Sequence, residues 1–89
     1  MITIHIPLIL RHMANNAKTH QVEGNTVGQC LKELVKAFPD MRESIFKDNG
    51  EIHHLIEIFL NSRTAHPGEL LRSTVDGDEI HVVTILSGG

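Results

Sequence analysis

Only one segment, Thr26 to Phe38, carries the apolar spacing of a long helix, and that scarcity limits the fold more than any other feature of the chain. Val27, Cys30, Leu31, Leu34, Val35 and Phe38 share one arc at about 100° per residue, with Lys32, Glu33 and Lys36 outside it on a solvated face. Thr26 with Gln29 three positions on has the capping-box pattern, and Pro39 pushes its predecessor out of helical geometry. Gly28 costs this helix about 1 kcal/mol relative to alanine, and its lack of a Cβ allows close packing that spacing alone does not establish.

The remaining apolar residues come in short runs of strand character. Ile2, Ile4, Ile6 and Leu8 alternate with Thr3, His5 and Pro7, the pattern of a half-buried strand, with Pro7 at an unpaired flank or bulge. The polar stretch Arg11 to Lys18 turns the chain, and Thr19 to Glu23 returns as a weaker strand. Between Asp40 and Asn49 a short helical turn carries Met41, Ile45 and Phe46. Leu55 to Leu60 reads as a buried strand, broken by a hairpin turn at Asn61-Ser62-Arg63. Glu69 to Leu71 forms one helical turn, and Asp76-Gly77-Asp78 a tight turn into the last strand, Glu79 to Leu86. One helix covers one face of such a sheet and leaves the other open to solvent or a partner. The expected fold is α+β, a mixed four- to five-stranded sheet packed on one main helix, in a single domain over residues 1–89.

Composition removes several function classes. Eight Lys and Arg against 11 Asp and Glu give a net charge of −3, which disfavours a sequence-independent nucleic-acid binder. One cysteine cannot form an internal disulfide or supply paired zinc thiolates. The longest apolar run, Ile6 to Leu10, is far shorter than a membrane span, and no secretory leader pattern is present. A cytoplasmic protein that binds neither nucleic acid nor membrane is expected.

The C-terminus says the most about function. Strong strand formers give way to Ser87-Gly88-Gly89. Two glycines pass through a channel too narrow for a Cβ and adopt backbone angles closed to other residues. That suits a second protein that must reach a terminal carboxylate. A carboxylate is a poor electrophile because its leaving group is oxide; adenylation supplies AMP as the leaving group.

Taken in order, these pieces resemble the ubiquitin-like sulfur carriers of the MoaD/ThiS family, over essentially the whole chain. The resemblance rests on Ile6-Pro7 followed by Leu10-Arg11, Gly24-Asn25-Thr26-Val27-Gly28, Leu34 to Phe38, Phe59-Leu60-Asn61, Asp76-Gly77-Asp78-Glu79-Ile80 and the final Gly-Gly. The Ile-Pro…Leu-Arg opening looks closest to CysO-like carriers, although Thr84-Ile85-Leu86-Ser87 lacks the proline often found before the tail in that group.

The resemblance implies a β-grasp fold with a flexible Gly-Gly tail, and a cycle in which this chain is a carrier and co-substrate, not an enzyme. An ATP-dependent MoeB/ThiF-like activating enzyme adenylates the Gly89 carboxylate. A sulfur donor protein converts it to a thiocarboxylate, and an acceptor enzyme, cysteine-synthase-like or the large subunit of molybdopterin synthase, receives the sulfur. The chain itself then binds no cofactor, and ATP belongs to the activating enzyme. Ser87 and Gly88 thread the channel. Two alternatives remain: the small subunit of molybdopterin synthase, and a ubiquitin-like modifier that joins lysines.

In a β-grasp sheet the first and last strands are parallel neighbours. His5 and His81 then lie near each other on the open face, with Val83, Ile85 and Leu86 completing a partner surface. Seven histidines are scattered without the helical spacing of a zinc site, so no metal is expected. Cys30 reads as a small buried apolar residue and not a relay thiol. Asp76 and Asp78 read as turn residues and not calcium ligands.

Overall fold

A computed structural model describes residues 1–85. Five strands form one mixed sheet: β1 (Ile2–His5), β2 (Thr19–Val22), β3 (Ile56–Leu60), β4 (Arg63–Thr64) and β5 (Glu79–Thr84), in the order β2-β1-β5-β3-β4. The first and last strands are the parallel pair, with Ile4 opposite Ile80 and His5 opposite His81. β5 pairs antiparallel with β3 on its other edge, so the chain's last strand is the middle of the sheet. This is the ubiquitin-like β-grasp arrangement.

Alternation decides which face is buried. Ile2 and Ile4 of β1, Ile56 and Ile58 of β3, and Ile80 and Val82 of β5 point into the core. The main helix, α1 (Val27–Ala37), covers that face and buries Val27, Cys30, Leu31, Leu34 and Val35. Each fully buried aliphatic side chain of this kind contributes about 1.5–3 kcal/mol. The Thr26 side chain accepts a hydrogen bond from the Gln29 amide at 3.1 Å, while the Gln29 side chain accepts from the Asn25 amide at 2.8 Å. The box closes one residue earlier than the standard motif: Thr26 satisfies the Gln29 amide, while Gln29 holds the amide of the residue before the cap. Phe38, ahead of Pro39, has left helical geometry at φ −130°. A short turn at Pro39–Met41 and a four-residue helix, α2 (Arg42–Ile45), then close one end of the core with Met41 and Ile45.

Gly28 is where the 3-10 turn Glu69–Leu71 lies against α1. A Cβ on it would stand 2.8 Å from the Leu70 carbonyl oxygen, so the helix gives up propensity to admit that turn.

The first strand departs from expectation. Its pairing stops at His5, and Leu8 is 76% exposed instead of sharing the buried face. Pro7 has no N–H to continue the ladder, and the chain enters a 3-10 segment over Leu8–Ala14 that buries Leu10 and Ala14. Arg11 to Ala14 thus belong to this 3-10 segment, and the turn expected over Arg11 to Lys18 is made by Asn15 to Lys18. Leu55 likewise lies outside β3 and is exposed. At the β3–β4 hairpin Asn61 and Ser62 have φ of 54° and 82°, the positive pair that a two-residue turn between twisted strands requires.

Candidate partner-docking face and tail root

The face turned away from α1 carries a continuous row of side chains. Register places Thr19, His5, His81, Phe59 and Thr64 side by side across all five strands. His5 and His81 sit directly opposite one another, and their rings stack with centroids 4.0 Å apart and planes 6° from parallel. Glu79, two residues before His81 and so on the same face, meets His5: its Oε1 lies 2.6 Å from His5 Nε2. Burial, then the neighbouring His5, hold the His81 pKa below its usual 6.5, against the opposing pull of Glu79. Val83 follows His81 on this face, 37% exposed and opposite Glu57.

β5 ends at Thr84, and one step past its last ladder pair the Ile85 amide donates to the Leu55 carbonyl at 2.7 Å. Ile85 is 44% exposed and shares a shallow hollow of about 300 Å³ with Ile9, Leu55 and Thr84. Its other flank borders an open groove of about 740 Å³, floored by Ile52, Ile56 and Leu70 and rimmed by Glu51 and Glu57. Ile9, Leu55 and Ile85 are thus large apolar side chains left in water beside the end of β5.

The expected surface residues thus divide. His5, His81 and Val83 come together on the open face, and Ile85 marks the tail root. Leu86, Ser87, Gly88 and Gly89, the tail on which the chemistry was placed, lie outside the described residues. Sequence reasoning missed Leu8, Ile9 and Leu55. The signal was the unbroken run Leu8-Ile9-Leu10, whose three side chains cannot all face one core. It also missed Glu79, which the alternation Glu79-Ile80-His81 puts on the histidine face.

Cys30 is fully buried, with Sγ 3.8 Å from Thr74 Oγ1, and burial above all raises its thiol pKa. A relay thiol needs the opposite, access and a lowered pKa. Asp78 is a turn residue: one carboxylate oxygen accepts from the Asn61 side chain at 2.9 Å and the other from the Val75 amide at 2.9 Å. Lys32, Glu33 and Lys36 are exposed. Among the described residues no helix is long and apolar enough to cross a membrane.

No protein-family model matches the chain. The sulfur carrier protein CysO of Mycobacterium tuberculosis is 25% identical over 91 aligned positions, which cover 99% of this chain and 98% of that protein. Small archaeal modifier protein 1 of Haloferax volcanii is 38% identical over 69 positions, 76% of each chain. In the crystal structure of the Amycolatopsis orientalis BexX/CysO complex, a chain 23% identical to this one superposes with a TM-score of 0.91 over the full length of both.

Proposed function

The chain belongs to the ubiquitin-like sulfur carriers of MoaD/ThiS type, the family of CysO and small archaeal modifier protein 1, and from that membership we propose that it carries sulfur as a thiocarboxylate on Gly89. The observation that carries the reading is the tail root. The middle strand of the sheet ends beside an exposed apolar patch of Ile9, Leu55 and Ile85, and Leu86-Ser87-Gly88-Gly89 follow in the sequence.

In this reading the Gly89 carboxylate attacks the α-phosphate of ATP on a MoeB/ThiF-like activating enzyme, and pyrophosphate leaves. A persulfide on a donor protein then displaces AMP from the acyl-adenylate, giving an acyl disulfide. A second protein thiolate attacks the donor's sulfur, forming a disulfide with the donor and expelling the thiocarboxylate, which is anionic at neutral pH and attacks an electrophile without a general base beside it. The folded body acts as a co-substrate. Its apolar patch docks on the activating enzyme, and the glycines pass where a Cβ would not.

A second reading has its own support, because the relative with 38% identity is a modifier protein. There the activated Gly89 acylates lysines of other proteins. Both readings share the adenylation step and separate at the next.

The test incubates the chain with ATP, a MoeB/ThiF-like enzyme and a sulfur donor, then maps the C-terminal peptide by mass spectrometry. Replacement of one oxygen by sulfur in that peptide is expected, and removal of Gly89 abolishes it while leaving the melting temperature nearly unchanged. Mapping is essential, since methionine oxidation adds almost the same mass. Ladders on target proteins without thiocarboxylate would favour the modifier; loading of the truncated chain would overturn both.

A further inference from the structure

We propose that His5, Glu79 and His81 form a binding site for one divalent transition-metal ion of the zinc class on the open face of the sheet. The proposal is independent of the tail chemistry. Helical spacing gives no pair of histidines in the sequence, but strand pairing supplies one. β1 and β5 run parallel, His5 faces His81, and Glu79 precedes His81 by two on the same side. One donor atom from each of the three lies within 4.8 Å of the others.

Two imidazoles and one carboxylate are the protein donors of open zinc sites, and of other divalent sites that keep positions free. Zinc bonds of about 2.0–2.2 Å in a tetrahedron bring donors to roughly 3.3–3.5 Å from one another. The wider separations must therefore close by about an ångström, while the 2.6 Å between His5 Nε2 and Glu79 Oε1 opens to the same spacing as the ion enters between them. Their surroundings permit it: the His5 side chain is 34% exposed and that of Glu79 is 53% exposed, so both have room to change torsion. The strands beneath them are fixed by ladders on both edges of β5, so the ligand backbone is already in place.

The charges favour a cation. With both imidazoles neutral, the carboxylate leaves the cluster at −1, in a chain whose net charge is −3. A neutral imidazole is the form that offers a lone pair to a metal ion. His5 ligates through Nε2 when its proton sits on Nδ1. The contact of 2.6 Å to Glu79 is then replaced by coordination of both groups to one ion. Three protein donors leave a fourth position directed away from the sheet, where a water or a side chain of a docked protein completes the shell.

The experiment uses the full chain free of affinity tag and titrates it with zinc ion at neutral pH by calorimetry, with cobalt(II) as the visible-absorption probe. One equivalent is expected to bind. Glu79→Gln and His81→Gln should each weaken binding by about tenfold or more, whereas His53→Gln with His54→Gln leaves it unchanged. No binding at millimolar zinc overturns the proposal, as does binding indifferent to His81→Gln. If a variant fails to fold, histidine ring resonances of the unsubstituted chain decide. Zinc-dependent shifts at His5 and His81 support the site, and shifts confined to His53, His54 or His66 overturn it.

Discussion

Because Cys30 is the only thiol in a chain read as a sulfur carrier, whether its sulfur packs or reacts matters. The geometry around Gly24 allows a test. A Cβ on Gly24 would stand 2.8 Å from Cys30 Sγ, 3.1 Å from the Cys30 amide nitrogen and 3.2 Å from Gln29 Cβ. Gly24→Ala thus overpacks the start of α1, at a cost of about 1–3 kcal/mol. Cys30→Ala removes one buried heavy atom and leaves a small void, at a cost of about 1–2 kcal/mol. In the double variant the new methyl enters the space the sulfur vacated, so the closest clash and the void cancel. The contacts at 3.1 and 3.2 Å remain, which keeps recovery incomplete. We expect the double variant to be more stable than the sum of the two single effects by about 1–2 kcal/mol. In a domain this size that is a difference of roughly 4–16 °C in melting temperature. Thermal and urea denaturation of the four proteins measure it. Additive costs would refute the packing argument. Failure of folded Cys30→Ala to be loaded at Gly89 would show that the sulfur reacts.

Further expectations concern the surface and the turns. Val83→Asp with Ile85→Asp changes two exposed residues, so the fold should persist while adenylation falls at least about tenfold; unchanged kinetics in a folded variant would remove the docking role. Ser62→Gly relieves a positive φ of 82° in the β3–β4 turn and should raise stability by about 0.5–1 kcal/mol, read by urea midpoint. Donation from the Asn61 side chain, then from the Val75 amide, holds the Asp78 carboxyl below its usual 3.8. Its stabilisation is present above about pH 3.8 and lost as pH falls through the lower folded value, so Asp78→Asn should flatten acid unfolding in that window; parallel curves would contradict this.

The parts of the fold that local chemistry dictates were legible. Thr26 and Gln29 cap α1, Pro39 ends it, and Asn61-Ser62-Arg63 makes the hairpin, each for reasons contained within a few residues. What failed was extrapolation of alternation past Pro7. The pattern Ile2-Ile4-Ile6-Leu8 continues in the sequence, but burial follows the chain's path, and the 3-10 segment exchanges Leu8 for Leu10 and Ala14. Leu55 was misplaced for the same reason, as an apolar residue one step outside the ladder. The histidine pair became visible only through topology, since His5 and His81 are adjacent solely because the first and last strands are parallel neighbours. Glu79 was hidden because its partner is 74 positions away.

The position of β5 has a mechanical side. A protein that grips the end of this chain and pulls transmits load along a strand bonded to β1 on one edge and to β3 on the other. Such a strand yields only by shearing both ladders together, an event close in free energy to unravelling the whole molecule. A pull on the chain's end is thus borne at the centre of the sheet, and the folded body stays whole until both ladders give way.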